Sequence, residues 1–542
     1  MTAILRGYTR RGLYADLPRS VPNTTFPAGW GGAANFTPTT AAELSTALTN
    51  AAAASGLQII ELAANTTITG VSVSLPVKSD AYPIVIRTSA FASLPERRIN
   101  TGDAALLATI ESSATNPWCI TSAFSAHDYY FVGIKITRPN SGTNPTTLVR
   151  LGLGGGSADP TTPAQLPTRI FFDRCWIRGA DSINITAGIR FDVNTGAVTR
   201  SRIDNIRSTG NDTQAINIIN NGANQPILIY DNYLEACGEN IMFGGSNPPM
   251  ATWPWNVWDV TIRKNHFHKP LTWCNSAPEF AGTDYSVKNI FELKCGRRIL
   301  LEGNILEHMW GPDQDGAAVN FKSSSDPSST LYHSEYGTQD ITMRYNIVRH
   351  VANGFRIAGV ADGAKHRSHR YYIHDNLFYG LYESKGINWA GTSDHNFMVF
   401  DRAHQVQIEH NTFYSPSTTN YTVYVENNLS KLKIRNNLFF RSSLGVRTSG
   451  QNSGNDSLNT AVPGGDYVVD YNAFPNVSLA SYPANNFAPN TVSAIGYTNA
   501  TNDDDGDYSL SSGSSYKNAG SDGRDLGCDI TKVLYHTSGV DA

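Results

Sequence analysis

The chain has 542 residues, of which 40% are hydrophobic and only 16% are charged, and its formal net charge is −4. An average soluble protein has about 25% charged residues, whereas disordered chains combine low hydrophobicity with high net charge. The composition therefore excludes intrinsic disorder, and the lack of a basic excess argues against nucleic acid as a partner. No apolar run reaches the roughly 20 residues that a membrane helix requires, so no membrane span is predicted.

The N-terminal region is predicted to form an arm followed by a capping helix. Residues 1–40 form the arm, which contains an aromatic and glycine-rich cluster from Phe26 to Phe36. Its first basic residues precede no apolar segment, so no secretory signal peptide is predicted. The segment 41–55 is rich in Ala and Leu and follows Thr39 and Thr40, which are suitable N-cap residues. We expect this helix to cover the open end of a β-structure, where strand edges would otherwise be unpaired.

Most of the chain repeats one short pattern, in which a β-type run ends in an asparagine and a bulky apolar residue. Intervals of 26 to 42 residues separate these asparagines, which indicates a fixed structural unit with loops of variable length. Each run alternates with period two and is rich in Ile, Val, Tyr and Phe, which is typical of strands. The asparagines are Asn232, Asn265, Asn304, Asn346, Asn376, Asn411, Asn437 and Asn472.

One repeat can be divided into three strands, at residues 289–294, 297–302 and 305–308, with turns between them. Three strands per repeat, each stacked on its counterpart about 4.8 Å away, is the geometry of a parallel β-helix. The recurring asparagines are then expected to form a ladder of side-chain amides, with a left-handed turn that asparagine tolerates. A structural role is the favoured interpretation of these asparagines, and a catalytic role is the alternative.

The solenoid is predicted over residues 41–475, and residues 476–542, which lose the pattern, are predicted to cap its other end. The six cysteines are scattered without the spacing of a zinc site or a disulfide framework. We expect them to be small buried hydrophobic residues, with a structural disulfide as the alternative.

These repeats resemble the right-handed parallel β-helix superfamily typified by pectate lyases. The segment 238–248, with its Phe-Gly-Gly-Ser-Asn-Pro element, and segments 260–270 and 287–310 resemble a group of bacterial members of this superfamily. The likeness covers roughly residues 41–475. It implies an all-β, right-handed solenoid, but the superfamily includes lyases, hydrolases, esterases and phage tailspikes, so the fold does not fix the activity.

Alternation assigns one outer face to a group of charged residues. Phe291 and Leu293 are expected to be buried, which leaves Glu292 and Lys294 outside. The same phase in the next two repeats exposes Asn320 and Lys322, and then Arg356. Asp313 and Asp315 lie in the loop between the first two of these repeats. A second column, four residues after successive ladder asparagines, contains Lys269, His308 and His350.

In lyases of this superfamily that act on acidic polysaccharides, Lys and Arg on this outer face serve as base and acid. On that likeness, Lys294 is the candidate base, and Lys322 or Arg356 is the candidate acid or substrate clamp. Glu292, Asp313 and Asp315 are candidate ligands for substrate or Ca²⁺, of which Asp313 and Asp315 are the predicted metal site. Asn320, His308, His350 and Trp310 are candidate substrate-binding residues, with Trp310 among several tryptophans that offer stacking platforms for sugars.

Three functions remain open from the sequence. The leading hypothesis is a polysaccharide lyase that acts by β-elimination. The second is a phage tailspike or adhesin that binds surface glycans, which fits the missing signal peptide and implies a homotrimer at the virion surface. The third is a structural shell protein. For each candidate residue the alternative is an ordinary solvated strand surface or, for the tryptophans, burial against the solenoid wall. All three hypotheses place the protein outside the cell or on a virion.

Overall fold

A computed structural model describes residues 14–142, 147–152, 160–245, 256–311, 317–323, 337–359, 368–389 and 396–542. Within these residues, three long sheets contain only parallel neighbours. Each strand pairs with the strand that occupies the same place in the next repeat, so the chain winds through the three sheets in turn. The protein is a right-handed parallel β-helix, as the sequence predicted.

Each sheet adds its strands in the order of the chain, from one end of the solenoid to the other. The first sheet contains Gln58–Leu62, Ile84–Thr88, His127–Val132, Thr168–Asp173, Gly196–Thr199, Ile227–Tyr230, Trp258–Arg263, Gly296–Glu302, Thr338–Arg344, His369–His374, His404–Glu409, Leu432–Arg435 and Tyr467–Asp470. The second contains Thr67–Val71, Ala108–Ser112, Ile134–Thr137, Trp176–Arg178, Arg202–Ile206, Tyr233–Ala236, His266–His268, Ile305–Met309, Ile347–Val351, Leu377–Leu381 and Thr412–Phe413. The third contains Val73–Leu75, Ile120–Ser122, Thr147–Leu151, Ala187–Phe191, Gln214–Ile218, Glu239–Phe243, Phe291–Leu293, Val319–Lys322, Phe355–Ala358, Asn396–Asp401, Tyr421–Val425 and Val446–Thr448.

The remaining elements are short. Two hairpins pair Glu383–Ser384 with Ile387–Asn388 and Tyr497–Asn499 with Asp507–Leu510. The α-helices are α1 (Ala41–Ala53), α2 (Asn455–Ala461) and α3 (Ile530–Thr537). The 3₁₀ helices are Phe91–Ser93, Thr101–Leu106, Pro163–Gln165, Leu271–Trp273, Leu479–Ser481 and Ser493–Ile495. Among the described helices, none is long and apolar enough to span a membrane.

The interior is a continuous apolar column in which like residues stack on one another. Phe413 and Phe439 stack with ring centroids 5.2 Å apart, and Phe439 and Phe474 with centroids 4.8 Å apart. Such stacking is expected when successive strands pair in register. All six cysteines are free thiols buried in the protein, which confirms that they act as small hydrophobic residues.

The recurring asparagines lie in one column at the corner between the first and second sheets. The Asn304 side-chain oxygen accepts hydrogen bonds from both the backbone N–H and the side-chain amide of Asn265, at 2.8 and 3.0 Å. Asn304 donates in the same way to the Asn346 oxygen, at 2.9 Å for each bond. Because each buried amide is satisfied by its neighbours, the column adds polar contacts without leaving an unpaired group.

The left-handed residue of this turn is the one before each ladder asparagine, and not the asparagine itself. Lys264, Gly303 and Tyr345 have φ values of 57°, 63° and 56°. The expectation that asparagine supplies the left-handed backbone is therefore wrong. The asparagine is selected for its amide, which must reach the next repeat, and the preceding position adopts the strained backbone even with a lysine or tyrosine side chain.

Helix α1 covers the N-terminal end of the solenoid, as predicted. The Thr40 hydroxyl accepts a hydrogen bond from the Glu43 backbone N–H at 3.2 Å, which caps the helix. Leu44, Ala47, Leu48, Ala51 and Ala52 form its buried stripe, with the spacing of one helical face. At the other end of the solenoid, the ladder continues to Asn486, whose side-chain oxygen accepts from Asn472 at 3.0 and 3.1 Å.

The described part of the N-terminal arm runs along the outer side of the first sheet. The Asp16 and Arg19 backbone N–H groups donate to the carboxylates of Asp340 and Asp259, at 3.1 and 2.9 Å. Farther along, Phe26 stacks on Trp30 with ring centroids 4.3 Å apart, close to the start of the same sheet. The arm therefore covers charged residues on this face.

The C-terminal segment runs back along the outer side of the second sheet. Tyr508 and Val533 pack with Ile305 and Ile347 in a separate apolar cluster, and Arg98 donates to the Val540 carbonyl oxygen at 2.6 Å. The approach is close, because a Cβ atom on Gly303 would lie 2.8 Å from the His536 carbonyl oxygen. The sequence predicted that residues 476–542 cap the end of the solenoid. Phe487 does pair with Ala473 at that end, whereas residues 497–542 form a lateral cover that reaches back to Arg98.

Candidate functional site

The third sheet carries one straight column of outward-facing residues. Backbone register aligns these positions from one strand to the next, and strands stack about 4.8 Å apart, so the ten positions extend over roughly 43 Å. Among the described residues, the N-terminal arm bonds to Asp340 and Asp259 of the first sheet, and residues 497–542 bond to His350 and Arg349 of the second sheet. The column contains Arg150, Arg190, Asn217, Met242, Glu292, Asn320, Arg356, Val399, Tyr424 and Arg447.

The faces predicted for three consecutive repeats are confirmed. Phe291, Leu293, Val319, Phe321, Phe355 and Ile357 are buried in the interior. Glu292 lies opposite Asn320, and Asn320 lies opposite Arg356, in the backbone register. Period-two alternation was sufficient for this assignment because each of these strands is short and regular.

Among the described charged residues predicted for this face, Glu292 is the most buried, with only 5% of its surface exposed. One carboxyl oxygen accepts a hydrogen bond from the Asn320 amide at 3.1 Å. The other lies 3.7 Å from the Lys294 ammonium nitrogen. The carboxyl group is therefore held in place by an amide and a cation rather than by the solvent.

Glu239 forms a carboxyl pair with Glu292, which the sequence did not predict. Glu239 is buried and accepts a hydrogen bond from the Gln214 amide at 2.8 Å. Burial, followed by the charge of Glu239, raises the pKa of Glu292 to about 7. Period-two alternation from Ile241 predicts that Glu239 points inward, but its carboxyl group interacts with Glu292.

The cations around Glu292 differ in their exposure and in their ion pairs. Lys294 is about one-quarter exposed, and Lys322 is exposed with no ion pair within 4 Å among the described residues. Arg356 is held by Glu426, with 2.7 Å between its guanidinium nitrogen and the carboxylate oxygen. Among the described residues, Lys294 and Lys322 are therefore the cations best able to approach an anionic ligand beside Glu292.

His308 and His350 do not belong to this face. Both are buried on the second sheet, with ring centroids 5.7 Å apart. His350 bonds to Ser384 and to Asp504 of the C-terminal segment, at 2.7 and 2.9 Å. Burial lowers the pKa of His308 to about 4. The structure thus aligns the predicted second column but does not bring it together with Glu292.

The tryptophans near this face are buried rather than exposed as platforms, where the structure describes them. Trp258, Trp273 and Trp310 are each less than one-tenth exposed, so Trp310 offers no open ring face to a sugar. Trp273 and Trp310 belong to the main apolar core, and Trp273 also contacts Tyr285 with ring centroids 5.4 Å apart. Two further tryptophans, at positions 253 and 255, lie outside the described residues.

The predicted metal ligands Asp313 and Asp315 also lie outside the described residues, so the Ca²⁺ site stays a prediction. Within the described part of the chain, two groups of side chains have metal-ligand spacing, and both contain histidine. One lies on the second sheet, and the other combines His350 of that sheet with Asp503 and Asp504 of the C-terminal segment. Neither is a group of oxygen ligands alone, which Ca²⁺ prefers.

The third-sheet cluster can transfer a proton near neutral pH beside two available cations. A carboxyl group with a pKa near 7 exists in both forms at that pH, which suits a general acid or base. Lys294 and Lys322 can pair with a substrate carboxylate at the same place. Perturbed pKa values of this kind concentrate at functional sites.

Comparison with known proteins gives structural likeness only. No protein-family model and no curated sequence matches the chain. Among solved structures, the catalytic unit of a thermostable α-1,3-glucanase from Streptomyces thermodiastaticus strain HF3-3 is 12% identical, with 86% of this chain and 70% of that chain covered and a TM-score of 0.45. A variant of the tailspike protein of E. coli bacteriophage HK620 is 11% identical, with 81% and 67% covered and a TM-score of 0.40. The A-module of an Azotobacter vinelandii mannuronan C-5 epimerase is 10% identical, with 80% and 94% covered and a TM-score of 0.37. Likenesses this distant carry no argument about activity.

Proposed function

We propose that the outer face of the third sheet binds an acidic polysaccharide and cleaves it by β-elimination at Glu292. The observation that carries this proposal is the buried Glu292 carboxyl group, whose pKa is raised to about 7 and which lies 3.7 Å from Lys294. An isolated surface carboxylate would have neither property. The straight column of outward-facing residues extends on either side of Glu292 and gives a long chain-like substrate a continuous surface.

The reaction removes the proton next to the uronate carboxyl group and expels the oxygen at the neighbouring carbon. In this proposal the Glu292 carboxylate takes the proton, and the electron pair of the broken C–H bond forms the new C=C bond. The glycosidic C–O bond breaks, and the proton held by Glu292 passes to the leaving oxygen. Glu292 returns to the carboxylate, so no other reactant is consumed.

Lys294 and Lys322 have the complementary role of neutralising the uronate carboxylate. A nearby cation stabilises the anionic character that develops when the adjacent proton leaves. Lys294 was the candidate base from the sequence, but the carboxyl group of Glu292, 3.7 Å away, has the pKa near 7 that suits a base at neutral pH. We therefore assign the base to Glu292 and retain Lys294 and Lys322 as substrate clamps, with Arg356 at the next position.

Hydrolysis by two carboxyl groups is the less favoured chemistry for this site. Hydrolases place two carboxyl groups about 5 Å or more apart, so that the sugar or a water molecule fits between them. Glu239 and Glu292 are instead in hydrogen-bond contact with each other. Carboxyl groups in such contact leave no room for a sugar or a water molecule between them, which favours proton transfer at Glu292 alone.

The proposal is tested by the absorbance of unsaturated uronate products, measured on a panel of uronate polysaccharides with and without Ca²⁺. Product formation that is lost in Lys294→Ala and Glu292→Gln, and retained in Lys433→Ala, is the expected result. Lys433 is a matched control because it pairs with Glu409 on the first sheet. Stimulation by Ca²⁺ would support the predicted ligands Asp313 and Asp315.

No product from any polysaccharide, with or without Ca²⁺, would contradict the proposed lyase. If the same sample still bound a polysaccharide, the glycan-binding tailspike or adhesin would replace it, and light scattering would then test the homotrimer. If it bound none, the structural shell protein would remain. A location outside the cell or on a virion is part of all three proposals.

A further inference from the structure

A second polar cluster lies on the second sheet, away from the proposed polysaccharide site. It contains His268, Glu307 and His308, which come from two neighbouring strands. One ligand atom from each of the three side chains lies within 4.8 Å of the other two. Burial is high for Glu307 and His308, whereas the His268 side chain is about one-fifth exposed and gives access from the solvent.

His308 presents a buried nitrogen that has no hydrogen-bond partner. Its residue surface is only 6% exposed, and Nε2 is unsatisfied. The other ring nitrogen, Nδ1, is 3.1 Å from the Lys269 carbonyl oxygen and therefore carries the proton in the neutral ring. Nε2 then has a free lone pair. The ring lies nearly parallel to Trp389, with centroids 5.5 Å apart, which fixes its orientation.

His268 is oriented in the same way by its other nitrogen. Its Nδ1 is 2.8 Å from the Tyr233 hydroxyl, and its Nε2 lies 3.8 Å from a Glu307 carboxylate oxygen. The 3.8 Å distance is too long for a hydrogen bond. Metal-binding histidines are commonly held by a partner at the second nitrogen, which fixes the ring and its tautomer. Both histidines of this cluster have that partner.

The Glu307 carboxylate is held by hydrogen bonds but still has lone pairs that can bind a further ligand. Its oxygens accept hydrogen bonds from His266 at 2.7 Å and from Arg349 at 2.5 Å. A carboxylate has about four lone-pair positions, so these two bonds leave room for a further ligand. Arg349 does not make the site cationic, because Asp504 and Asp541 also pair with it, at 3.1 and 3.0 Å.

We propose that His268, Glu307 and His308 bind a divalent transition-metal ion of the zinc class. Two imidazole nitrogens and one carboxylate oxygen form a ligand set suited to Zn²⁺ and poorly suited to Ca²⁺ or Mg²⁺, which prefer oxygen ligands. Three protein ligands leave a coordination position open. The metal supplies the missing partner of His308 Nε2 and replaces the long contact between His268 and Glu307.

A neighbouring cluster shows why the unsatisfied nitrogen matters. His350, Asp503 and Asp504 also have metal-ligand spacing. However, both nitrogens of His350 already have partners, and Asp504 is paired with Lys385 and Arg349. A metal there would have to displace these groups. We therefore assign the metal to the His308 cluster alone.

The test uses the full-length chain, freed of metal with a chelator and then equilibrated with Zn²⁺ or Co²⁺. Elemental analysis after gel filtration gives the stoichiometry, and the visible spectrum of bound Co²⁺ reports its geometry. We expect one ion per chain and an intense four- or five-coordinate Co²⁺ spectrum. His308→Gln and His268→Gln should each weaken metal affinity at least tenfold, while Ca²⁺ should not compete.

His410→Gln is the matched control. His410 is also buried at an edge of the second sheet, but its nitrogens contact the Gly527 carbonyl oxygen at 3.2 Å and Asp522 at 3.0 Å. This variant should bind the metal as the wild type does. A wild-type chain that retains no metal, a weak six-coordinate Co²⁺ spectrum, or unchanged binding in a folded His308→Gln or His268→Gln variant would each overturn the proposal.

Discussion

The charged residues on the outer faces of the second and third sheets differ in how tightly they are ion-paired. On the second face, Glu307 and Arg349 pair with each other, and the C-terminal segment supplies Asp504 and Asp541 as further partners for Arg349. On the outer face of the third sheet, Lys322 is exposed without an ion pair among the described residues. Lys294 lies 3.7 Å from the carboxylate of Glu292.

This difference separates charge that stabilises the fold from charge that is available to a ligand. A buried ion pair with additional hydrogen bonds is costly to break, because one partner is left as an unpaired buried charge. An exposed cation contributes little to stability but can pair with an anion that arrives from solution. Equal substitutions on the two faces should therefore have different consequences.

The largest effect is expected on catalysis at the third face. Glu292→Gln removes the proposed base but keeps the shape and one hydrogen-bonding group, so turnover of a uronate polysaccharide should fall by about 10²- to 10⁴-fold. The rate of unsaturated product formation measures this. Glu409→Gln, which removes a largely buried and ion-paired carboxylate from the first sheet, should leave turnover within about twofold. A Glu292→Gln variant with normal turnover would refute Glu292 as the base.

The next effect concerns stability and compares one arginine from each face. Arg349→Ala leaves the buried Glu307 carboxylate without its guanidinium partner and should lower the free energy of unfolding by about 3–5 kcal/mol. Arg447→Ala, on the third face, should change it by less than about 0.5 kcal/mol. Urea unfolding of both variants measures the difference, and equal losses would show that the two faces do not differ in this way.

The third prediction concerns pH. Because the pKa of Glu292 is raised from 4.5 to about 7, the folded state binds more protons than the unfolded state between these values, and its stability falls as pH rises through that range. Glu292→Gln removes this loss. The free energy of unfolding of the variant, minus that of the wild type, should therefore be roughly 1–3 kcal/mol larger at pH 8 than at pH 4. Unfolding at both pH values tests it. A constant difference between the variants would mean that Glu292 is not perturbed.

The pH dependence of kcat/KM should reflect the same Glu292 carboxyl group, but activity should rise with pH where stability falls. The Glu292 carboxylate is the active form, so kcat/KM should rise with pH up to about 7. Glu239→Gln removes the charge that helps to raise this pKa and should shift the rising limb to lower pH. A limb that stays in place would remove Glu239 from the assignment.

The smallest effect is expected from the exposed Lys322. Lys322→Ala should weaken binding of a uronate oligosaccharide by about 3- to 10-fold at low salt and have little effect at high salt, where exposed charges are screened. Titration calorimetry at two salt concentrations measures this. The melting temperature of the Lys322→Ala variant should match that of the wild type. A loss of affinity that does not depend on salt would indicate a structural role for Lys322.

The sequence was informative wherever a local rule repeats along the chain. Period-two alternation placed Phe291 and Leu293 inside and Glu292 outside, and the recurring asparagines marked the corner of each turn of the solenoid. The sequence was less informative at the turns between the sheets. Glu239 interrupts the alternation where its strand begins, and the left-handed residue proved to be the one before each asparagine.

The sequence by itself determined the solenoid, its capping helix and the face that carries Glu292, Asn320 and Arg356, because each depends on periodicity within a few neighbouring residues. Only the tertiary structure decided which face is covered. Asp541 of the C-terminal segment lies 192 positions from its partner Arg349 along the chain, and no local pattern encodes a contact across that separation. The pairing of Glu239 with Glu292 and the unsatisfied nitrogen of His308 depend likewise on packing between distant strands, which sets the environment of each charge.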